Sequence, residues 1–152
     1  MEAAVRQELN RIVLCWLATV APDGTPNVSP KEIFAWPDGS DFLIAEIASP
    51  GSLRNIRNHP AVCVSFIDIF RQCGFKLIGR ARVIDPEDAD FAACAAPLTA
   101  RGGPDFPVRH VLSVTPERIE RIWAPSFHLL PERTDEDRIR GAFAAYGVVP
   151  AD

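Results

Sequence analysis

Three polar side chains are expected to line one face of a strand early in the sequence. Asn27, Ser29 and Lys31 alternate along the chain, and alternate residues of a strand project to the same side of a sheet. Pro30 has no N–H to donate to a neighbouring strand, so its strand is expected to lie at a sheet edge or to contain a bulge at this position. Bulges re-aim the neighbouring side chains and are common beside active sites. An alternative is a solvated edge strand in which Lys31 and Glu32 oppose aggregation.

A helix start suited to an anion follows this strand. Ser49 is expected at the N-cap, Pro50 at the first helical position and the Ser52 hydroxyl in the first turn. The free N–H groups of a helix N-terminus and the positive end of its dipole favour phosphate. Together with the polar strand, this helix start predicts a site for a phosphorylated cofactor, assisted by the Lys31 ammonium.

The composition is that of a folded domain and excludes several classes of partner. The 152 residues are 47% hydrophobic and 24% charged, with a formal net charge of -4. An acidic chain lacks the basic patch that nucleic acid requires, and no apolar run approaches the roughly 20 residues of a membrane span. The first residues lack the basic and then apolar arrangement of a secretory signal, which predicts a cytoplasmic protein.

Neither the cysteines nor the histidines form a chemical motif. No C-x-x-C pair occurs among the four cysteines, which are Cys15, Cys63, Cys73 and Cys94. Their spacing favours small buried side chains in a reducing compartment over metal or redox chemistry. His110 and His128 have no Ser, Cys or carboxylate at a diagnostic spacing, and His59 is expected to end a helix. We therefore predict no metal site and assign no catalytic residue.

Short β-prone segments separated by turns predict one domain over residues 1–152. Asp-Gly turns at residues 23–24 and 38–39 are expected to join the first three strands into an antiparallel meander. Strands are predicted at residues 12–20, 27–36, 41–45, 61–67, 75–84, 108–114 and 117–123. Helices are predicted at residues 5–11, 50–58, 86–100 and 134–146, the last with a capping box of Thr134 and Asp137.

This series of elements predicts a mainly β fold, a small antiparallel barrel with peripheral helices. Because so small a barrel fills its interior with side chains, a ligand must bind on an outer face. The three tryptophans and nine phenylalanines exceed what one small core needs. We expect an apolar face, with Phe34, Trp36 and Trp123 as candidates, to be buried against a second copy of the chain.

Four segments of the sequence, in order, carry a family resemblance. They read Leu-Ala-Thr-Val at 17–20, Asp-Gly-Thr-Pro-Asn-Val-Ser-Pro-Lys at 23–31, Leu-Arg-Asn-Ile-Arg-Asn-His-Pro-Ala-Val at 53–62 and Gly-Arg-Ala at 79–81. Together they resemble the pyridoxamine 5'-phosphate oxidase-related proteins, the FMN-binding split-barrel flavoproteins. The resemblance covers residues 5–85 well and the rest of the chain only loosely.

The resemblance implies a split β-barrel that forms a homodimer with FMN at the interface between two copies. The cofactor-binding residues that it implies are Ser29, Pro30, Lys31, Glu32, Ala45, Glu46, Ser49, Ser52, Leu53, Arg54 and Asn55. Gln72, in a predicted loop, is a candidate contact from the second subunit.

Departures from the family pattern oppose pyridoxamine phosphate oxidation itself. True oxidases carry Ser-Arg-Lys at the phosphate helix, where this chain has Pro-Gly-Ser at residues 50–52, and an arginine near the position of Ser29. Their C-terminal Arg-x-His signature has no convincing counterpart here. Lys31 and Arg54 are candidates to supply the missing positive charge, since a phosphate at a dry interface needs a cation. A solvated helix face is the alternative for Arg54.

We therefore expect an FMN-dependent oxidoreductase that acts on an unidentified small substrate with a small-molecule electron donor or acceptor. The flavin would carry the redox chemistry itself, which explains why no acid or base is evident. The alternatives are a non-enzymatic flavin-binding or stress-related protein, a related barrel that uses a deazaflavin or haem, and a structural interaction barrel without a cofactor.

Overall fold

The chain folds around one antiparallel sheet of seven strands. The computed structural model describes residues 2–150, and its strands are β1 (Cys15–Val20), β2 (Pro26–Lys31), β3 (Phe34–Ala35), β4 (Phe42–Glu46), β5 (Ala61–Asp68), β6 (Cys73–Ile84) and β7 (His110–Trp123). The strand order is β2-β1-β5-β6-β7-β4-β3, and all neighbours are antiparallel. The predicted mainly β, split-barrel fold class is confirmed.

One hydrophobic core holds the sheet in a curled half-barrel. Leu17 of β1, Leu77 of β6 and Phe34 of β3 are fully buried in the same cluster. Because these strands span the sheet almost from edge to edge, the sheet must wrap around that cluster. Helices α1 (Glu2–Leu9) and α2 (Pro50–Asn58) contribute further buried residues to it.

The other helices pack outside this core. Helix α3 (Phe91–Gly102) packs Ala95 and Leu98 into a smaller cluster with residues of β4 and β7. It begins later than predicted because the Asp88 carboxylate accepts the Asp85 N–H in a preceding turn, at 2.9 Å. Two more helices follow β7, α4 (Ser126–Leu129) and α5 (Asp135–Tyr146), and the predicted capping box of Thr134 and Asp137 is confirmed at the start of α5.

The predicted three-stranded meander is wrong, although both Asp-Gly turns form. Residues 27–36 do not make one strand: β2 pairs with β1, and β3 pairs with β4 at the opposite edge of the sheet. The chain leaves the first edge after Lys31 and joins the second at Phe34, since curling brings the two edges to the same core. Pro30 lies in edge strand β2, as its missing N–H requires.

The last two predicted strands, 108–114 and 117–123, form the single long strand β7. It pairs along all of β6, with a register shift where Ile78 pairs with Arg118 and Gly79 pairs with Pro116. Proline cannot donate to the ladder, so the irregularity falls at Pro116 as a bulge and not as a chain break. Gly79 is required there, because a Cβ on it would lie 2.1 Å from the Thr115 carbonyl oxygen.

Phe34 is wrongly predicted as part of a surface shared between two copies. It is fully buried, and its ring stacks on Phe42 at a centroid distance of 5.7 Å. Trp36 is partly buried against the same core. Trp123 is 44% exposed and packs on Phe127.

The cysteines are free thiols in this fold. Cys15 and Cys73 are buried, and burial raises the pKa of Cys15 to about 12, which keeps its thiol protonated. Among residues 2–150 the structure brings no three potential metal ligands together. Over the same residues, no helix has the length and apolar character needed to cross a membrane.

We predict that Gly79→Ala lowers the free energy of unfolding by about 1–3 kcal/mol, because its methyl group must displace the backbone of β7. The control is Gly141→Ala in α5, where a Cβ meets nothing within 4 Å. That substitution should raise stability by about 0.5–1 kcal/mol through helix propensity. Urea unfolding of both variants measures the difference, and equal stability of the two would contradict the close approach at Gly79.

Candidate functional site

The polar face of β2 meets the first turn of α2. Ser29 Oγ lies 3.0 Å from Ser52 Oγ, and Lys31 Nζ donates to Ser49 Oγ at 2.7 Å. These contacts form because alternate residues of the edge strand point towards the helix while those between them are exposed. The structure therefore places Ser29 and Lys31 of β2 against Ser52 and Ser49 at the start of α2, as the sequence pattern indicated.

A second group of polar side chains extends the same face of β2. Thr19 Oγ1 accepts from Asn27 Nδ2 at 3.2 Å and from Asn55 Nδ2 at 3.0 Å. Asn55 is buried, and its Oδ1 has no hydrogen-bond partner among residues 2–150. A buried oxygen without a donor costs free energy, so the position of Asn55 is maintained by the hydrogen bond of its Nδ2 to Thr19. Thr19 was not predicted, but it is the cross-strand partner of Asn27.

Ser49 occupies the N-cap position of α2, as predicted, but its hydroxyl does not cap the helix. No first-turn N–H donates to this hydroxyl, which instead accepts from the Lys31 ammonium. The Ser49 backbone N–H donates to a carboxylate oxygen of Glu46. A charged donor is a stronger partner for the hydroxyl than a neutral N–H, which explains why Ser49 Oγ binds Lys31 and not the first turn of the helix.

Lys31 is a buried cation that lacks an anionic partner in the described part of the chain. It is 7% exposed, and none of the ion pairs found among residues 2–150 includes it. Burial lowers the pKa of Lys31, and the nearby Glu46 carboxylate and Cys15 act in the opposite direction. An ammonium held by a neutral hydroxyl has lost much of its hydration, so a bound anion would stabilise its charged form.

Glu46 lies buried at the end of β4, on the other side of the helix start. Its Oε2 is 3.6 Å from His110 Nδ1, and His110 Nε2 is 3.5 Å from Asp85 Oδ1. The histidine is there because β4 and β7 pair Glu46 with His110. Arg57 of α2 binds the same Asp85 oxygen at 2.6 Å. His110, to which the sequence assigned no role, thus lies between two carboxylates beside a predicted site residue.

A cavity of about 610 Å³ opens beside Lys31 and Ser49. This volume lies within the range of about 300–1,000 Å³ that is usual for small-molecule sites. Three other residues from the predicted set line it, Pro30, Glu32 and Ala45. The cavity can therefore hold the body of a ligand whose anionic group reaches the Lys31 ammonium.

The opposite wall of the cavity comes from segments that the sequence analysis did not assign to a site. The link between α1 and β1 contributes Arg11 and Val13, and the region around the end of α3 contributes Arg101 and Phe106. Arg101 Nη2 donates to the Ile12 carbonyl at 3.0 Å, which joins the two segments. No motif marks these residues, since they meet only through long-range packing.

Three of the residues predicted to bind the cofactor belong neither to the polar group at the start of α2 nor to the cavity lining. Leu53 is 8% exposed and belongs to the main core, whereas Arg54 is exposed on α2. Gln72 lies in the turn between β5 and β6 with a φ of 60°, and its side-chain oxygen accepts from Ser126 Oγ at 3.4 Å. Contact of Gln72 with a cofactor of a second copy stays a prediction.

Solved structures share this fold. HupZ from Group A Streptococcus is 24% identical with a TM-score of 0.69, and the match covers 82% of this chain and 95% of that one. An FMN-binding protein from Syntrophomonas wolfei subsp. wolfei is 13% identical with a TM-score of 0.62, covering 79% of this chain and 84% of that one. An F420 reductase is 27% identical with a TM-score of 0.56, covering 78% of this chain and 94% of that one.

The sequence itself also matches a protein family. A search of curated protein sequences found no match. The family model described as pyridoxamine 5'-phosphate oxidase, however, matches residues 1–123, a span that includes the polar strand, the helix start and all the residues that line the cavity. The chain therefore belongs to the pyridoxamine 5'-phosphate oxidase family.

Proposed function

We propose that the protein is an FMN-binding flavoprotein and acts as an oxidoreductase on a small substrate. The observation that carries this proposal is the buried Lys31 ammonium, which has a neutral hydroxyl partner and lies at a helix N-terminus beside a cavity. A phosphate at this point would receive a cation and hydroxyl donors together. The FMN-binding protein with the same fold is consistent with this assignment.

The residues present fit the phosphate end of FMN. The Lys31 ammonium and the Ser29, Ser49 and Ser52 hydroxyls form one polar group. Ser49 accepts from Lys31 and keeps its own O–H for an anion. One of Ser29 and Ser52 donates to the other, which leaves one more O–H for the anion. Glu46 already accepts the Ser49 N–H and reduces the positive potential of the helix start. Lys31, more than the helix dipole, therefore supplies the attraction for phosphate.

The cavity suits the ring end of the cofactor. Its lining includes Pro30 and Ala45, near the ends of β2 and β4, and Glu32, which follows β2. When bound there, the flavin supplies hydride or electron transfer, while the protein orients it and restricts water. True pyridoxamine phosphate oxidases carry a basic run where this chain has serine hydroxyls at the helix start. Oxidation of pyridoxamine phosphate is therefore not part of the proposal.

The mass of the ligand released from purified protein tests the proposal against its alternatives. The expected mass is that of FMN, and reduction of the bound flavin by NADH or NADPH with turnover would establish an enzyme. Bound flavin that never turns over would favour a storage or stress-related role. A deazaflavin or haem mass would exclude FMN as the cofactor. A protein that carries no ligand and binds no added FMN would favour the interaction barrel.

We further propose that two copies form a homodimer through the outer face of β1 and β2. Trp16 and Val28 are 46% and 57% exposed there. Strand register places Trp16 beside Pro30 and Ala18 beside Val28, so the four side chains form a continuous apolar patch. Pro30 also lines the cavity. A second copy on this patch would bury the apolar surface and border the cofactor.

We predict that Lys31→Ala weakens FMN binding about ten- to a hundred-fold, since a charge-assisted contact contributes about 1.5–3 kcal/mol. Flavin fluorescence titration measures the affinity. The matched control is Lys76→Ala, which removes the other lysine of the chain from an exposed pair with Glu120 and should leave the affinity unchanged. Equal affinities of the two folded variants would remove Lys31 from the site.

The affinity should also depend on pH through Lys31. Burial lowers the pKa of Lys31 from its ordinary value of 10.5, so the ligand-free protein loses this charge at a lower pH than an exposed lysine does. A bound phosphate favours the charged form. The affinity should therefore fall as pH rises through that lowered pKa. Lys31→Arg, whose side chain stays charged, should remove the fall. An identical alkaline profile in Lys31→Arg would show that another group titrates.

We predict that Val28→Glu converts the dimer into a monomer and weakens FMN binding with it, because a carboxylate cannot be buried in an apolar interface without a partner. Sedimentation at micromolar concentration, with and without FMN, measures the assembly. Leu129→Glu is the control, since Leu129 is 75% exposed in α4, away from the patch. A wild-type monomer that binds FMN tightly would contradict the interface proposal and leave the fold unaffected.

A further inference from the structure

We propose that the end of the cavity formed by Arg101, Phe106 and Val13 is a second anion site, which binds a small organic anion as the substrate. The anionic group is a carboxylate or a phosphate, and it is attached to an apolar body. This inference rests on the proposed function and deepens it, because it assigns a substrate class to the Arg101 end of the same cavity, where the substrate would lie beside the flavin ring.

Charge is unevenly distributed between the cavity and the rest of the chain. Three cationic side chains line the cavity, Arg11, Lys31 and Arg101, against one carboxylate, Glu32. The whole chain has a formal net charge of -4. A local positive excess in an acidic protein concentrates anions at that point and raises their rate of association.

The positive charges belong to different walls of the cavity. Lys31 is grouped with the serine hydroxyls of β2 and α2. Arg101 lies in the last turn of α3 and is anchored to the link before β1. Because Lys31 binds Ser49 and Arg101 binds the Ile12 carbonyl, an anion held by Lys31 and the serines leaves Arg101 for a second anionic group.

Arg101 is positioned to bind an anion. Its guanidinium lies over the buried Phe34 ring, 4.2 Å from the centroid, and one of its N–H groups donates to the Ile12 carbonyl. No ion pair found among residues 2–150 includes Arg101. A guanidinium has five N–H donors in a rigid plane, so donors remain for a carboxylate or phosphate. Stacking on a buried ring restricts the side chain before the ligand arrives.

The surfaces beside Arg101 indicate that the anion has an apolar body. Phe106 and Val13 line this end of the cavity and are 53% and 72% exposed. Ile33 also lines the cavity, and its side chain lies against the end of α3 at Gly102. A bare inorganic ion would gain nothing from these side chains. An aromatic or aliphatic acid would bury them while its charge reaches Arg101.

Calorimetric titration with benzoate and with its uncharged analogue benzamide tests the inference, on both FMN-loaded and ligand-free protein. Benzoate should bind more tightly than benzamide. Arg101→Gln should weaken benzoate binding about ten- to a hundred-fold, which is the loss expected for a charged hydrogen bond. Arg101→Lys should recover part of that loss. The control, Arg140→Gln, removes an exposed arginine of α5 and should change nothing.

A second variant keeps the test independent of the packing of Arg101 on Phe34. Phe106→Ala removes a half-exposed side chain, so the fold should survive, and it should weaken benzoate binding in the ligand-free protein. Benzoate affinities that are equal in wild-type, Arg101→Gln and Phe106→Ala proteins would overturn the inference, as would no benzoate binding at all. If added FMN does not bind while benzoate binding still depends on Arg101, the flavin function fails and the anion site stands.

Discussion

The hydrogen bond from the Lys31 ammonium to the Ser49 hydroxyl joins the edge strand β2 to the start of α2. Without this bond a buried ammonium would have no partner, and such a group is too costly for a small domain to keep. With it, the polar face of β2 is held against the helix, and Ser29 reaches Ser52. The polar site, and the cavity that opens beside it, therefore depend on where this one cation is placed.

Local patterns in the sequence predicted the elements that position this site. The Asp-Gly turns, the alternation of Asn27, Ser29 and Lys31, and the Ser-Pro start of α2 each depend on residues close in sequence, and all are present in the structure. The strand pairing beyond them was not predictable in this way. The break between β2 and β3 exists because a curled sheet brings its edges together, and only the closed core shows that Phe34 belongs inside.

The part of the cavity wall that contains Arg101 was also not predictable from local sequence patterns. Arg101 and the carbonyl of Ile12 are 89 residues apart in sequence and 3.0 Å apart in the structure. An arginine in the last turn of a helix is ordinary, because it interacts favourably with the helix dipole wherever the helix lies. What distinguishes Arg101 is its position over Phe34 at the cavity, and that position is a product of long-range packing. Sequence spacing alone could therefore recover the polar strand and the helix start of the site, but not the Arg101 end of the cavity.

Ser49 keeps a buried cation and a buried anion from neutralising each other. Its hydroxyl accepts from Lys31, and its backbone N–H donates to Glu46, which faces His110 on its other side. If Lys31 and Glu46 were in direct contact, they would form an ion pair, and the ammonium would have little affinity left for a phosphate. Because one residue provides an acceptor for the cation and a donor for the anion, both charges are held without that pair. The positive charge of Lys31 therefore remains available to a ligand in the cavity.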